Sequence, residues 1–343
     1  MDAIYVVGAG GIGCAVGYAL STAGARVAFV ETNRKKVEVA RRRTNPVIVT
    51  DRRNHRIGER PAEFVYPEEW QPPAGSWVLL CTKCYDNAAA LGRLTVPVRL
   101  VPIQNGFDAQ LAAHGHEFEG IASFVSQCRP GESETLITRP GDLHLGRRAA
   151  GPTPDAELDR LAAALGACEL FRVKVVPHIE PYKYAKLMYN AAISPLAAAA
   201  GLDNGALLSV PEARALFFAL LQENYRILRA ANVELGKVGP FHPRTVAWIL
   251  RRKWLAGLMA RFFEPSLRGT YCSMAGEIQK GRTELDNYNG HLIRLAEQAG
   301  VPCPLNRTVF DLVAKMTAAR EQPRRAVLTE LASAPRALAA TYS

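Results

Sequence analysis

No stretch of this sequence holds the about 18 consecutive apolar residues that cross a bilayer, so no membrane span is expected. Met1, Asp2 and Ala3 lead straight into the apolar run Ile4–Val7, without the basic segment and long apolar stretch of a secretory signal, and the expected location is the cytoplasm. Cysteine is scarce and odd in number. Seven residues at irregular spacing exclude a disulfide framework and suit a reducing compartment. Cys81 and Cys84 form a lone CxxC, and no second pair or spaced histidines complete a tetrahedral site, so no metal is expected. Acidic residues are short as well, 32 against 42 Lys and Arg, for a net charge of +10. Residues 34–60 hold ten of the basic residues and residues 244–268 hold six. Neither segment is an unbroken run interleaved with aromatics. A field that attracts small anions, or solvated faces, accounts for them, and nucleic acid is not an expected partner.

What is present is an ordinary globular composition, 48% hydrophobic and 22% charged, over 343 residues. That length exceeds what one core normally organises, so two domains are expected: residues 1–179, residues 180–320, and a C-terminal tail over 321–343 that reads as marginally ordered. The first half alternates strand and helix patterns. The run Ile4–Val7 is followed at once by Gly8-Ala9-Gly10-Gly11-Ile12-Gly13. Ile12, Val16, Ala19 and Leu20 then recur at helical spacing, and Arg26–Val30 is the next strand. This order of strand, glycine-rich turn, helix and strand is the dinucleotide-binding fingerprint. The first glycine permits the tight turn, the second lets a pyrophosphate approach, the third lets helix and strand pack closely, and the helix N-terminus faces the phosphates. Glu31 closes the second strand, where an acid accepts hydrogen bonds from ribose hydroxyls and repels a 2′-phosphate, which favours NAD(H). Arg34, Lys35 and Lys36 follow, and either hold a 2′-phosphate, which favours NADP(H), or form a solvated first helical turn. Strand patterns at Ser76–Thr82 and Arg99–Ile103 end in Lys83 and in Gln104-Asn105-Gly106, so Lys83 and Asn105 stand where a cofactor would lie. Further strands are expected near 121–127, 142–146 and 171–176, completing a mainly parallel, doubly wound α/β sheet of Rossmann type.

After Pro177 the pattern turns helical, and an all-α C-terminal domain is expected. Residues 182–200 carry Lys186 and Asn190 four positions apart, on one helical face. A lysine beside Leu187, Met188, Ala191 and Ile193 is either partly withdrawn from water, which suits a proton donor, or snorkels from a buried helix. Lys183 reads as solvated. Ser273 to about Gly300 reads as one long helix or a broken pair, with Ser273, Glu277 and Glu284 on a common face and Gly281 marking a close approach. Val246, Ile249, Leu250, Trp254, Leu258 and Phe262 recur near helical spacing, which predicts an amphipathic helix over 244–268 whose Trp and Phe face protein, either the active-site entrance or a second subunit.

With GAGGIG at 8–13, Lys83, QNG at 104–106, KLMYN at 186–190, Asn204-Gly205 and SMAGEIQKGRTELDNYNG at 273–290, the chain resembles the ketopantoate (2-dehydropantoate) reductase family over roughly residues 3–318. The resemblance implies reduction of a 2-keto acid to a 2-hydroxy acid, 2-dehydropantoate to pantoate in pantothenate biosynthesis, with hydride from NADPH. By match it implies that Lys186 is the general acid and that Glu284 hydrogen-bonds the reacting oxygen. Ser273 then binds the substrate carboxylate, Asn190 and Asn204 are substrate-side amides, and Asn105 and Lys83 are cofactor-side contacts. Where the family carries a second Asn four residues after the first, this chain has Ser194, taken as a further substrate-side group. Residues 236–268 are longer, more basic and more aromatic than is usual there, with Trp248, Trp254, Phe262 and Phe263. Two other readings stand beside this one: a polyol or opine-type dehydrogenase, and a non-catalytic dinucleotide sensor. A homodimer is a further expectation.

Overall fold

Runs such as Ile4–Val7 and Val27–Val30 lack the alternating polar positions of a half-solvated strand. They need cover on both faces, which a parallel sheet between helices supplies. The computed structural model describes residues 3–42, 47–51, 56–129, 131–149 and 155–333, in two compact units, Met1–Ile179 and Glu180–Ser343.

The first unit runs β1 (Ile4–Val7), α1 (Gly11–Thr22), β2 (Val27–Val30), α2 (Arg34–Arg41), β3 (Val47–Thr50), β4 (Arg56–Arg60), β5 (Glu63–Val65), β6 (Trp77–Leu80), α3 (Asn87–Leu91) and β7 (Arg99–Pro102). It continues with α4 (Ala109–His114), β8 (Phe118–Ala122), β9 (Val125–Cys128), β10 (Glu134–Arg139), β11 (Asp142–Arg147), α5 (Ala156–Leu165) and β12 (Arg172–Val176). Five strands form an all-parallel sheet in the order β5-β2-β1-β6-β7, with Ile4 level with both Val27 and Trp77. The winding reverses at β1, so a crevice opens beyond the carboxyl ends of β1 and β6. Val6, Phe29, Leu79 and Val101 pack with Val16 and Leu20 of α1 on one face of the sheet. Val7, Val30, Val78 and Leu80 pack with Leu91 and Leu111 on the other. This is the doubly wound Rossmann-type arrangement.

The remaining strands form two smaller mixed sheets, β4-β3-β10-β9 and β12-β11-β8, instead of simply extending the first. The segment expected as one strand near 121–127 is divided. β8 ends at Ala122, the chain turns at Ser123 and Phe124, and β9 begins in the other sheet. The turn is fixed by Phe124 stacking on Phe171, ring centroids 4.7 Å apart. β3 and β4 lie inside the segment that the sequence shows only as basic. Val47–Thr50 is buried at every position, a short apolar run masked by the charges around it. Arg43, Arg52 and Arg53 of that segment lie outside the described residues.

The second unit is helical among the described residues: α6 (Glu180–Ala200), α7 (Ala206–Ser209), α8 (Pro211–Ala230), α9 (Pro243–Leu250), α10 (Lys253–Leu267), α11 (His291–Gln298), α12 (Pro304–Ala318) and α13 (Ala326–Ser333). Three sequence expectations change here. The single amphipathic helix over 244–268 is two helices parted at Arg251 and Arg252, and Trp254, Leu258 and Phe262 are exposed at 72%, 54% and 71% in the single chain, which leaves a second subunit as the surface they would face. Residues 273–290 are not a continuous helix. Gly276 and Gly281 both have φ of 74°, and regular helix resumes only after a π-helical turn at Asp286–Gly290. The region read as a marginally ordered tail contains α13, which buries Val327, Leu328 and Leu331; the alanine- and arginine-rich composition hid these three apolar residues at helical spacing. Residues 334–343 lie outside the described residues. No described helix is long and apolar enough to cross a membrane.

Candidate functional site

Each glycine of the loop after β1 has its own geometric reason. Gly8 has φ of 94°, and a Cβ there would sit 3.1 Å from the Cys81 carbonyl. A Cβ on Gly13 would lie 1.9 Å from the Gly8 carbonyl oxygen, so only glycine lets α1 pack on β1. Gly10 faces space with no heavy atom within 4 Å of a Cβ, which is where a pyrophosphate would approach. A Cβ on Gly11 would meet the Ser126 carbonyl oxygen at 2.6 Å, and Ile12 packs against the core. No side chain caps α1, so its first N–H groups are available to an anion. These residues fit a dinucleotide.

Ala9 is held from both sides. Its N–H donates to Glu31 Oε2 at 3.1 Å, and its carbonyl accepts from Lys36 Nζ at 2.6 Å. Glu31 Oε1 also accepts from the Asn33 N–H at 2.9 Å, and Lys36 Nζ lies 3.8 Å from Glu31 Oε2. The basic cluster after Glu31 is therefore not a uniformly solvated turn. Lys36 is buried and turned inward to the loop. Arg34 pairs with Glu68 at 2.8 Å and stacks over Tyr66 at 4.9 Å.

At the neighbouring strand ends, Gln104 Nε2 donates to the Thr82 carbonyl at 2.8 Å and to Asn87 Oδ1 at 2.7 Å. The Cys84 thiol donates to the Asn105 carbonyl at 3.3 Å. These bonds stitch the ends of β6 and β7 together and set Lys83 and Asn105 beside each other, both half-buried, on the carboxyl edge of the sheet. The sequence reading missed Gln104 and Asn87 as the residues that do this. A buried amide pair carries no spacing signal.

In the helical unit, Lys186 and Asn190 are half-buried on α6, while Glu284 is 2% exposed. Ser273 and Glu284 do not share a helical face. They are joined by Tyr288, whose hydroxyl donates to Glu284 Oε2 at 3.0 Å and lies 3.1 Å from Ser273 Oγ. Tyr288 was not singled out from the sequence, although its position four after Glu284 is the spacing of two groups on one side of a helical turn. The π-helical turn that carries it is pinned to α6: Asn289 Nδ2 donates to the Ala191 carbonyl at 2.9 Å. Pro195, four residues on, has no N–H to give that carbonyl, so the asparagine takes the place of a helix bond. The rings of Tyr184 and His291 lie 6.0 Å apart and add a second link. The remaining expected residues are placed as follows. Ser194 is buried at 2% exposure, its carbonyl accepting from the Cys272 thiol at 3.5 Å. Asn204 Nδ2 holds Thr270 Oγ1 at 3.0 Å, and its Oδ1 is buried without a protein hydrogen-bond partner among the described residues. Such an acceptor is satisfied by water or ligand. Lys183, expected to be solvated, is buried at 6% exposure. Periodicity cannot show which flank of a helix its neighbours cover.

A glycine-loop dinucleotide domain joined in one chain to a helical unit bearing a half-buried lysine and a buried glutamate defines a nicotinamide-dependent oxidoreductase. Residues 4–146 match the family described as ketopantoate reductase PanE/ApbA, and residues 178–317 match its C-terminal counterpart. The chain belongs to the ketopantoate reductase family. It is similar to the 2-dehydropantoate 2-reductase of Archaeoglobus fulgidus, 24% identical over 90% of this chain and 96% of that protein. It is also similar to that of Pyrobaculum aerophilum, 31% identical over 41% of this chain, where the match spans only 45% of that protein. Among solved structures, a PanE/ApbA family ketopantoate reductase from Ralstonia eutropha superposes with a TM-score of 0.72 at 21% identity, covering 93% of this chain and 99% of that one. A D-mandelate dehydrogenase with NADH and anilino(oxo)acetate superposes with a TM-score of 0.71 at 17% identity, covering 95% and 99%.

Proposed function

We propose that this chain reduces a 2-keto acid to the 2-hydroxy acid with NAD(P)H in the cytoplasm, its substrate being 2-dehydropantoate and its product pantoate. The observation that carries this reading is the Ser273–Tyr288–Glu284 hydrogen-bonded chain on a turn pinned to the helix that bears Lys186 and Asn190.

Gly8, Ala9, Gly10, Gly11, Ile12, Gly13, Glu31, Lys83 and Asn105 would hold the dinucleotide, which would supply the hydride. Lys186 Nζ hydrogen-bonds the substrate carbonyl oxygen and gives it a proton as negative charge gathers there. The Glu284 carboxylate keeps that ammonium charged and oriented, and Tyr288 fixes one of its oxygens. Ser273 and Asn190 bind the substrate carboxylate, with Ser273 turning its proton from Tyr288 to the ligand. Asn204 adds an amide whose Oδ1 has an unmet acceptor. Glu31 lies where the ribose hydroxyls of the cofactor would sit and opposes a 2′-phosphate, so NADH is used at least as well as NADPH. Steady-state turnover with 2-dehydropantoate and a panel of other 2-keto acids, with each cofactor, tests the reading. Turnover of none of them, in a protein that binds dinucleotide, overturns it in favour of a sensor.

A further inference from the structure

The loop after β1 is packed from below by groups that dinucleotide binding does not use. Cys14 Sγ on α1 donates to the Ala9 carbonyl at 3.3 Å, and Cys128 Sγ at the end of β9 lies 3.6 Å from the same oxygen. Both thiols therefore converge on one carbonyl oxygen. Lys36 Nζ donates to Cys128 Sγ at 3.3 Å while it holds the Ala9 carbonyl, and Glu31 stands behind it at 3.8 Å. Cys14 is wholly buried, whereas Cys128 is only half-buried. β9 also presses on the loop itself, at Gly11 against the Ser126 carbonyl.

We propose that Cys128 is an oxidation site, with Cys14 as its resolving thiol, through which a hydroperoxide disables dinucleotide binding. The Cys128 sulfur attacks the terminal oxygen of the hydroperoxide. The O–O bond breaks, an S–O bond forms, and the alcohol or water leaves with a proton, so that Cys128 becomes a sulfenic acid. The Cys14 sulfur then attacks the Cys128 sulfur. The S–O bond breaks, the S–S bond forms, and the hydroxide leaves with the Cys14 proton as water. The sulfurs lose two electrons and the peroxide gains them. Two features favour attack at Cys128. The hydrogen bond from Cys14 and the charge of Lys36 hold its thiol down at about 7, near the pH at which a thiolate both forms and attacks well. Burial instead pushes the thiols of Cys81, Cys168 and Cys303 up. The crosslink removes both sulfur contacts to Ala9 and the sulfur partner of Lys36, and it draws α1 toward β9 at the residues that shape the pyrophosphate site.

The proposal rests on the dinucleotide reading of the glycine loop, so the affinity of the untreated protein for NADH and NADPH is measured first and tests that reading by itself. Hydrogen peroxide treatment of the whole chain near neutral pH is then followed by peptide mass mapping and a second Kd. The expected result is a Cys14–Cys128 crosslink, with loss of two hydrogens, and a Kd raised about tenfold or more, both reversed by dithiothreitol. C128S removes both effects, and C14S stops at a sulfenic acid that dimedone traps. Iodoacetamide labelling of the unvaried protein needs no substitution, and Cys128 is expected to react ahead of Cys81, Cys168 and Cys303. Oxidation elsewhere with Cys128 intact overturns the site. A complete crosslink with an unchanged Kd overturns its coupling to the loop.

Discussion

Lys186→Ala is expected to lower kcat for keto-acid reduction by roughly 10²-fold or more, the usual scale for losing a positioned general acid. Dinucleotide affinity should change little, because the glycine loop belongs to the other unit. Glu284→Ala lowers kcat as well, and the double variant is barely worse than the worse single, since two groups acting on one oxygen are not additive. A near-normal kcat for K186A on its best substrate removes the lysine from the mechanism. The cofactor prediction also turns on single residues. Glu31 is fixed toward Ala9 and Asn33, Lys36 is used inside the loop, and Arg34 is engaged by Glu68, so little positive charge is left to favour a 2′-phosphate. The ratio of kcat/KM for NADH over NADPH should be one or more, and a hundredfold preference for NADPH makes Arg34 and Lys35 the phosphate site instead. At this scale the sequence offers Lys83 at a strand end and Lys186 beside an apolar helical stretch, while the role of Glu284 comes from the family resemblance alone. The sequence does not show that Lys36 and Lys183 are buried, because a lysine's stem hides its direction until the neighbouring element is in place.

Elements were readable where a local pattern alone determines them. The runs behind β1, β2, β6 and β7, and the helical period of α6, are of that kind. Val47–Thr50 was not, being a four-residue strand that pairs with β10, far along the chain. The segment 273–284 shows a subtler failure: helical arithmetic put Ser273 and Glu284 on one face, yet two left-handed glycines break the helix and Tyr288 brings the pair together. The π-helical turn after Glu284 depends on a buried polar network. Asn289 Nδ2 bonds Ala191 O and Asn306 Oδ1, and Asn306 Nδ2 bonds Glu223 and Asn224. Asn289→Leu leaves two buried acceptors short and should destabilise the chain by about 1–3 kcal/mol in denaturant unfolding. Pro195→Ala restores the backbone N–H that the Ala191 carbonyl lacks. In the P195A background the cost of N289L should therefore shrink, by roughly the worth of one hydrogen bond, about 1 kcal/mol. Strict additivity of the two substitutions means that Asn289 is not standing in for the missing helix bond.

Each unit carries a histidine that resists protonation, His144 buried in the first and His291 half-buried in the second. Burial holds both His144 and His291 down to about 4. Lys174 adds to the effect at His144, and Arg294 and Lys183 add at His291, while Asp142 and Asp286 respectively oppose it. An unfolded histidine takes its proton near 6.5. Between 6.5 and about 4 the unfolded chain thus binds protons that the folded chain refuses, so stability falls as pH falls through this window. The carboxylates with lowered pKa act elsewhere. Glu69 and Glu330 start from 4.5, and Asp142 and Asp155 from 3.8, so what they contribute is lost only as pH drops below those values. Cys128, lowered from 9.0 to about 7, contributes only above about 7. Of the groups named here, only the histidines act in the interval from 6.5 down to 4.5. Denaturant unfolding across it should show a steady loss of stability on acidification. His144→Gln changes the stability at every pH but should flatten the slope of the first unit's transition and leave that of the second to His291. A stability that stays level from 6.5 to 4.5 would show that both histidines take protons in the folded state. An unaltered slope in H144Q would leave His291 as the whole source of the acid sensitivity.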